Sequence, residues 1–293
     1  MIVSSTNGGT ESKLMRLSEA FSLYYQKIAF MNQSPRTAEM HWLALRSLIK
    51  SVGDIPIADL TFVHIMEWKT KLENENKSQN TIRGYIIKLR IVLAHLNKER
   101  IDCLDVDLVP VPKRENTVPS WITPEEVTLL IDTCSHRRAK AIISLLYASG
   151  IRVSELTQLN RDQLHEGRFT VIGKGNKPRL CFYDRRTSLL LDRYLQGRKD
   201  NHPALFVQRQ TLARMNKGGV EEVFRQVRLK AGIAKPITPH TLRHSFATDL
   251  AQRGLALHNL QRLMGHANIQ TTSMYLHTTD IRLEEEYTKY HTI

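Results

Sequence analysis

The sequence has few cysteines and lacks any long apolar run. Its 293 residues contain Cys103, Cys134 and Cys181, which are odd in number and too widely spaced for metal ligation, so no disulfide framework or cysteine-bound metal is predicted. No apolar stretch approaches the length of a membrane span, and the N-terminal residues lack the basic and apolar segments of a secretory signal. We therefore expect no membrane association and a reducing, cytoplasmic location.

Acidic residues are also scarce relative to basic ones. The chain has 29 Asp and Glu against 42 Lys and Arg, a net charge of +13 and a pI near 9.7. Residues 1–112 carry 14 basic and 12 acidic side chains, whereas residues 113–293 carry 28 and 17. This excess favours a polyanionic partner that contacts mainly the second half.

Two prolines separate a helical first half from the rest. Pro110 and Pro112 alternate with other residues in a short polar stretch, and this spacing favours extended structure over helix. Four earlier segments, at about 14–31, 35–51, 61–74 and 79–100, have helical periodicity. The first of them places Leu17, Phe21, Tyr24 and Tyr25 on one face. We predict a helical domain over 1–112, a linker over 113–118 and a second domain over 119–293.

The second half combines helices with a short hairpin. The segment from Thr123 to Glu126 is typical of a capped helix start, and residues 141–148 are apolar nearly all round up to Gly150. Between 168 and 183 the period changes to two around a glycine-rich turn, which predicts a β-hairpin. The apolar residues of this alternation are Phe169, Val171, Leu180 and Phe182. The predicted fold class is mainly α with a small antiparallel sheet.

Residues 238–247 form the strongest local signature. Thr238 and Pro239 suit the start of a helix, so His240 and Arg243 fall in its first turns, where backbone N–H groups favour an anion. His240 and His244 have the spacing of a zinc pair, but the glutamate of that motif and a third ligand are missing. We therefore predict a phosphate site with no metal and no cofactor.

Further candidates surround this segment in the sequence. Arg152 follows the apolar helix, with Glu155 three residues later to orient it, although this spacing is also that of an ordinary surface pair. His266 follows a Leu-Met-Gly sequence, and Tyr275 lies nine residues beyond. In this order the chain closely resembles the tyrosine site-specific recombinases, the family of lambda integrase, Xer and Cre. Six residues match the family's catalytic positions: Arg152, Lys174, His240, Arg243, His266 and Tyr275.

The resemblance implies a role for each position. The two arginines and His266 would neutralise the phosphate, and His240 would assist proton movement. Tyr275 would attack and form a 3′-phosphotyrosine bond. Lys174 would protonate the leaving 5′-oxygen, with Lys177 in the same turn as the competing candidate.

The resemblance also implies the partners. The first domain would be a core-binding domain that clamps double-stranded DNA carrying inverted-repeat core sites, with a dimer on each site and a tetramer in synapsis. The acidic C-terminal tail, with Glu284, Glu285 and Glu286, would dock on a neighbouring protomer. The length before the linker leads us to expect no additional arm-type domain. The DNA-binding candidates are Asn80, Arg83, Lys88, Lys177 and Arg179.

Two other functions remain open from the sequence. One is a DNA-binding protein that uses this fold without cleavage, although matches at all six positions argue against it. The other is a type IB topoisomerase, which would relax supercoils without paired sites. The sequence does not distinguish integration, excision and resolution.

Overall fold

The computed structural model describes residues 15–30, 35–115, 120–173 and 176–265. They belong to two compact units, one within Met1–Thr117 and the other within Val118–Ile293. In the first unit the described residues form four α-helices: α1 (Leu17–Phe30), α2 (Pro35–Val52), α3 (Phe62–Asn74) and α4 (Gln79–Lys98). All four helices predicted from the periodicity are confirmed, with ends within a few residues.

Apolar faces of these helices form the core of the first unit. Leu17 and Phe21 of α1 are fully buried, and Trp68 of α3 packs beside them in the same cluster. Tyr25 is instead 46% exposed, so its predicted place on the apolar face is wrong. A step of about 100° per residue turns it away from Tyr24, which is buried.

The second unit is helical with one hairpin. Its described elements are α5 (Pro124–Thr133), α6 (Arg137–Ser149), α7 (Val153–Gln158), β1 (Arg168–Ile172), β2 (Pro178–Phe182), α8 (Arg185–Gln196), α9 (Lys217–Lys230), α10 (Pro239–Gln252) and α11 (Leu257–Met264). Helix α6 is the buried central helix that the sequence predicts, because residues 141–146 are all buried. The predicted fold class, mainly α with a small antiparallel sheet, is confirmed.

Local capping fixes the ends of the helices that matter for the site. Thr123 and Glu126 form the predicted capping box of α5, and the Thr238 side chain accepts from the Thr241 N–H at the start of α10. Helix α6 ends at Gly150, whose φ of 60° is left-handed. A Cβ there would also lie 2.2 Å from the Phe246 ring. Glycine is therefore required at the turn that leads into Arg152.

The hairpin register decides which residues of β1 and β2 point inward. The strands are antiparallel, and Val171 is paired with Arg179. Phe169 and Val171 are buried, whereas Leu180 and Phe182 are 47% and 49% exposed. The predicted apolar residues of β1, Phe169 and Val171, thus face inward and those of β2, Leu180 and Phe182, face outward, and Arg179 shares the inner face with Val171.

Among the described residues, no helix has both the length and the apolar character needed to cross a bilayer.

Candidate active site

Arg152 stands immediately before α7 and is held by Glu155. Its backbone N–H donates to Glu155 Oε2 at 2.7 Å, and its guanidinium Nη1 donates to Oε1 at 2.9 Å. The Glu155 side chain is 5% exposed and that of Arg152 is 33% exposed. A buried carboxylate therefore orients a cation that is still open to solvent.

Arg179 binds the same carboxylate from the hairpin. Its Nη1 donates to Glu155 Oε1 at 2.7 Å and its Nη2 to Oε2 at 2.6 Å, which is the bidentate geometry that suits arginine. The Arg179 side chain is only 9% exposed. As a DNA-binding candidate, Arg179 was expected to face a ligand, but the structure places its guanidinium inside the protein against Glu155.

Glu155 is consequently ionised despite its burial. Burial by itself raises the pKa of this carboxyl, but the hydrogen bonds from Arg179 and Arg152, together with the charge of Arg179, outweigh it and lower the pKa. The pKa of Arg179 is raised in return: burial acts to lower it, and the Glu155 contact dominates. The lowered pKa of Glu155 and the raised pKa of Arg179 both mean that the two side chains are charged in the folded protein.

Arg243 lies in the first turns of α10 and is 3% exposed. Its guanidinium donates to the backbone carbonyls of Gly150 and Met264. Because Gly150 closes α6 two residues before Arg152, the first contact joins α10 to the segment that carries the other arginine. Two candidate arginines that are far apart in sequence are thereby attached to neighbouring backbone.

Three consecutive carbonyl oxygens at the end of α11 each accept a hydrogen bond from an arginine. The pairs are Leu263 with Arg179 at 3.1 Å, Met264 with Arg243, and Gly265 with Arg152 at 3.3 Å. The last carbonyls of a helix lack partners within the helix and carry its negative dipole end, so cations are favoured there. This helix end brings together arginines from α10, from β2 and from the start of α7. His266 is the next residue along the chain.

His240 lies at the N-terminal end of α10 and is exposed. Although the residue as a whole is exposed, partial burial of its ring, followed by the positive charges of Arg243 and Arg152, lowers its pKa. Its imidazole is therefore mainly neutral near pH 7 and can accept a proton. His244, one turn further, is buried. Within the described ranges there is no group of three His, Cys, Asp or Glu side chains placed to hold a metal ion.

Three predicted catalytic residues, Lys174, His266 and Tyr275, lie outside the described residues. The residues just before two of them are described. A Cβ on Gly173 would lie 3.3 Å from Arg179 Nη1, and one on Gly265 would lie 2.9 Å from Arg179 Cδ. Both glycines thus contact the same arginine. Lys177, the competing general-acid candidate, is exposed at the end of the hairpin loop.

The candidates in the first unit contact their own domain. The Asn80 side chain exchanges hydrogen bonds with the Glu115 backbone at 3.1 and 3.2 Å, and Arg83 donates to the Pro112 carbonyl at 3.3 Å. Lys88 donates to the Gly84 carbonyl at 3.0 Å, and burial lowers its pKa. The Asn80 contact attaches the predicted linker to α4, and the DNA-binding role of the three residues remains a prediction.

The contacts of Arg179 and of the α11 carbonyls are not predicted by the motifs described above. The pairing of Val171 with Arg179 carries the missing signal, because it places a charged residue on the buried face of the hairpin. A glycine directly after the last helical residue of α11, with a φ of 59°, is the second signal. It marks a helix C-terminus with unpaired carbonyls next to His266.

Two arginine forks, an imidazole at a helix start and a basic hairpin, all on a helical domain, are groups that suit the binding of nucleic-acid phosphates. Residues 120–282 match the phage integrase family. The tyrosine recombinase XerD of Oceanobacillus iheyensis is 37% identical over 241 residues, which cover 78% of this chain and 81% of the relative. XerA of Pyrococcus horikoshii is 34% identical over 218 residues, 73% of this chain and 75% of the relative. The chain belongs to the phage integrase family and is a tyrosine recombinase, an enzyme that cleaves and rejoins DNA.

Solved structures show the same fold. The integrase of the Tn1549 transposon, determined in complex with circular intermediate DNA, has a TM-score of 0.77 at 21% identity and covers 94% of this chain and 100% of its own. A lambda integrase dimer bound to a COC′ core site has a TM-score of 0.75 at 16% identity. The match covers 93% of this chain and 81% of the integrase chain. Both structures contain DNA.

Proposed function

We propose that this chain recombines cytoplasmic double-stranded DNA at inverted-repeat core sites through a 3′-phosphotyrosine intermediate. One observation carries the proposal: Arg152 and Arg243 donate to adjacent carbonyls at the end of α11. Two guanidinium groups from separate segments are thus brought to one place, immediately before His266. Such fixed cations suit the charge that develops on a phosphate under attack.

The remaining residues complete a balanced reaction. The Tyr275 oxygen bonds to phosphorus while the bond from phosphorus to the 5′-oxygen breaks, and Lys174 donates a proton to that oxygen. His240, with its lowered pKa, is suited to receive the tyrosine proton, and His266 donates a further hydrogen bond to the phosphate. Since the phosphotyrosine conserves the phosphodiester bond energy, a 5′-hydroxyl from a partner strand can reverse the step.

The domain roles belong to the same proposal. Residues 1–112 form the core-binding domain, 113–118 the linker and 119–293 the catalytic domain. Asn80 and Arg83 of α4 bond to the linker and to the residue just before it, and Lys88 bonds to Gly84 in its own helix. DNA binding would exchange these contacts with protein carbonyls for phosphates. The second half has 28 basic and 17 acidic residues. This excess of positive charge supports a second DNA-contact surface on the catalytic domain.

A nicked suicide substrate tests the function directly. Cleavage near the nick releases a short fragment, so religation fails and the wild-type protein stays covalently attached to DNA. Denaturing gels would show the attached species, and a pair of core sites would yield exchanged strands. Binding without attachment would favour a non-cleaving DNA-binding protein. Attachment with relaxation of a plasmid that carries one site or none would favour a type IB topoisomerase.

Lys174→Ala should slow cleavage of the ordinary 5′-oxygen substrate by about 10²- to 10⁴-fold. A 5′-bridging phosphorothioate leaves without a proton, so cleavage of this substrate should be nearly unchanged. Single-turnover rates on the two substrates measure the difference. Lys177→Ala, in the same loop, is the matched control. A phosphorothioate rescue seen with Lys177→Ala and not with Lys174→Ala would transfer the general-acid role to Lys177.

We infer that assembly involves the C-terminal tail. The eighteen residues after Tyr275 include three consecutive glutamates, which complement the basic charge of a neighbouring catalytic domain. The proposed assembly is a dimer on each site and a tetramer at synapsis. The tail lies outside the described residues, so the sequence and its charge are the support for this role.

Truncation after Thr279 should leave the binding of one protomer to a half-site unchanged and weaken cooperative binding of the second by about 10-fold, the low end of typical coupling. Gel-shift titration on half and full sites measures both. Replacing Glu284, Glu285 and Glu286 with glutamine keeps the length and isolates the charge. Unchanged cooperativity and full strand exchange by the truncated protein would refute tail docking.

A further inference from the structure

Arg179 is a charged residue whose side chain is only 9% exposed, and its position follows from the hairpin register. Its Cα is paired with that of Val171, and Val171 is 4% exposed. The neighbouring outward residues, Leu180 and Phe182, are about half exposed. A guanidinium on the inner face of a strand is costly to bury unless its donors are satisfied.

Three of its nitrogens have partners on two other elements. Both Glu155 oxygens accept from Arg179, at 2.7 and 2.6 Å, and its Nε donates to the Leu263 carbonyl at 3.1 Å. Its aliphatic part packs against Gly265, because a Cβ at this position would lie 2.9 Å from Arg179 Cδ. One side chain of β2 thus contacts both α7 and the end of α11.

These contacts join the segments that carry the proposed catalytic groups. Gly173 N–H donates to the Lys177 carbonyl at 2.9 Å, and Lys174 follows Gly173 in the sequence. Glu155 holds Arg152, and Gly265 precedes His266. Arg179 therefore contacts the residue before the proposed general acid and the segments of the proposed phosphate-binding groups.

We propose that Arg179 is a positioning residue that sets the Lys174 turn relative to Arg152 and to the segment leading into His266. This role rests on the proposed recombinase function and goes beyond it, since it gives Arg179 the placing of the general acid and no part in the bond-making and bond-breaking steps. A flexible turn would leave the lysine at variable distances from the 5′-oxygen. A misplacement of about 1 Å can cost about 10²-fold in rate.

The contacts do not favour a direct DNA contact by Arg179. Its side chain is 9% exposed, and the planar fork is already occupied by Glu155. Lysine at this position keeps the charge but cannot reach both carboxylate oxygens and the Leu263 carbonyl at once. Arg179→Lys therefore removes the geometry and retains the charge.

The test measures single-turnover cleavage by full-length Arg179→Lys on the two substrates that differ in the leaving atom. Cleavage of the 5′-oxygen substrate should fall about 10²-fold. Cleavage of the 5′-bridging phosphorothioate should fall by no more than about 10-fold. Half-site affinity and its salt dependence should match the wild type. Arg168→Lys is the matched control, because its side chain on β1 is 61% exposed and should leave both rates unchanged.

A second variant separates an effect on positioning from a loss of folding. Arg179→Gln removes the guanidinium fork while Glu155 keeps its hydrogen bonds with Arg152, so the buried carboxylate is not left uncompensated. The thermal melting temperature establishes that this protein is folded, and the same difference between the two substrates is expected.

Each outcome separates the possibilities. Equal loss on both substrates by folded variants, or rates equal to the wild type on both, overturns positioning. A weaker half-site affinity with a salt slope reduced by about one overturns it in favour of a phosphate contact. If the wild-type protein forms no covalent complex, the recombinase proposal itself fails, and this result is visible before any Arg179 variant is compared.

Discussion

Tyr275→Phe should bind core-site DNA with wild-type affinity and form no covalent complex with a suicide substrate. The substitution removes only the hydroxyl of the proposed nucleophile and leaves the arginines and the basic surface in place. Tyrosine has a pKa of about 10, so a tyrosine nucleophile needs nearby cations to favour the phenolate. Removal of a nucleophile typically costs about 10⁴-fold or more, which would put attachment below detection. Denaturing gels measure attachment, and gel-shift titration measures binding.

Tyr287→Phe is the matched control, because it makes the same change at another tyrosine of the C-terminal segment. It should be trapped on DNA as efficiently as the wild type. Trapping of the Tyr275 variant at the wild-type level would remove Tyr275 from the role of nucleophile. Loss of trapping in the Tyr287 variant with normal DNA binding would make Tyr287 the candidate nucleophile instead.

Glu155→Gln should destabilise the protein by about 3 to 5 kcal/mol. The change removes the charge that compensates Arg179, whose side chain is 9% exposed, and it releases Arg152 from its hydrogen bond at 2.9 Å. A buried cation without a partner is much costlier than an intact pair. Urea unfolding monitored by tryptophan fluorescence measures the free-energy difference.

The stability lost in Glu155→Gln should be smaller at acidic pH than at neutral pH. The pKa of Glu155 is lower in the folded protein than the ordinary value of 4.5, so the unfolded chain binds its proton more tightly. The stabilisation by Glu155 is therefore fully present above about pH 4.5 and is lost as the pH falls through the folded pKa. The difference between wild type and Glu155→Gln should shrink below that pH.

Glu222→Gln is the control for this stability prediction. Arg225 lowers the pKa of Glu222 to about 2, yet both side chains are about half exposed. Ion pairs in solvent contribute only about 0 to 1 kcal/mol, so this variant should lose far less stability than Glu155→Gln and should show a correspondingly small dependence on pH. Equal destabilisation by the two variants would mean that burial of Glu155 is not the cause.

Local chemistry made most helix ends predictable. Thr123 and Glu126 satisfy each other's neighbouring N–H groups, and Thr238 and Pro239 start α10 as their residue types favour. Each of these signals acts within one turn. The place of Tyr25 was not predictable with the same accuracy, since a residue at the edge of an apolar face is turned inward or outward by its packing partners.

The sequence by itself determined the helical elements, the hairpin, the basic charge and the order of candidate residues that resembles the tyrosine recombinases. The tertiary structure alone decided that Arg179 lies inside, because a strand's inner face depends on the register with its partner. It also decided that arginines from three segments donate to consecutive carbonyls of α11. Residues such as Arg179 and Leu263 are 84 positions apart, and no local pattern encodes a contact that forms only when the domain has packed.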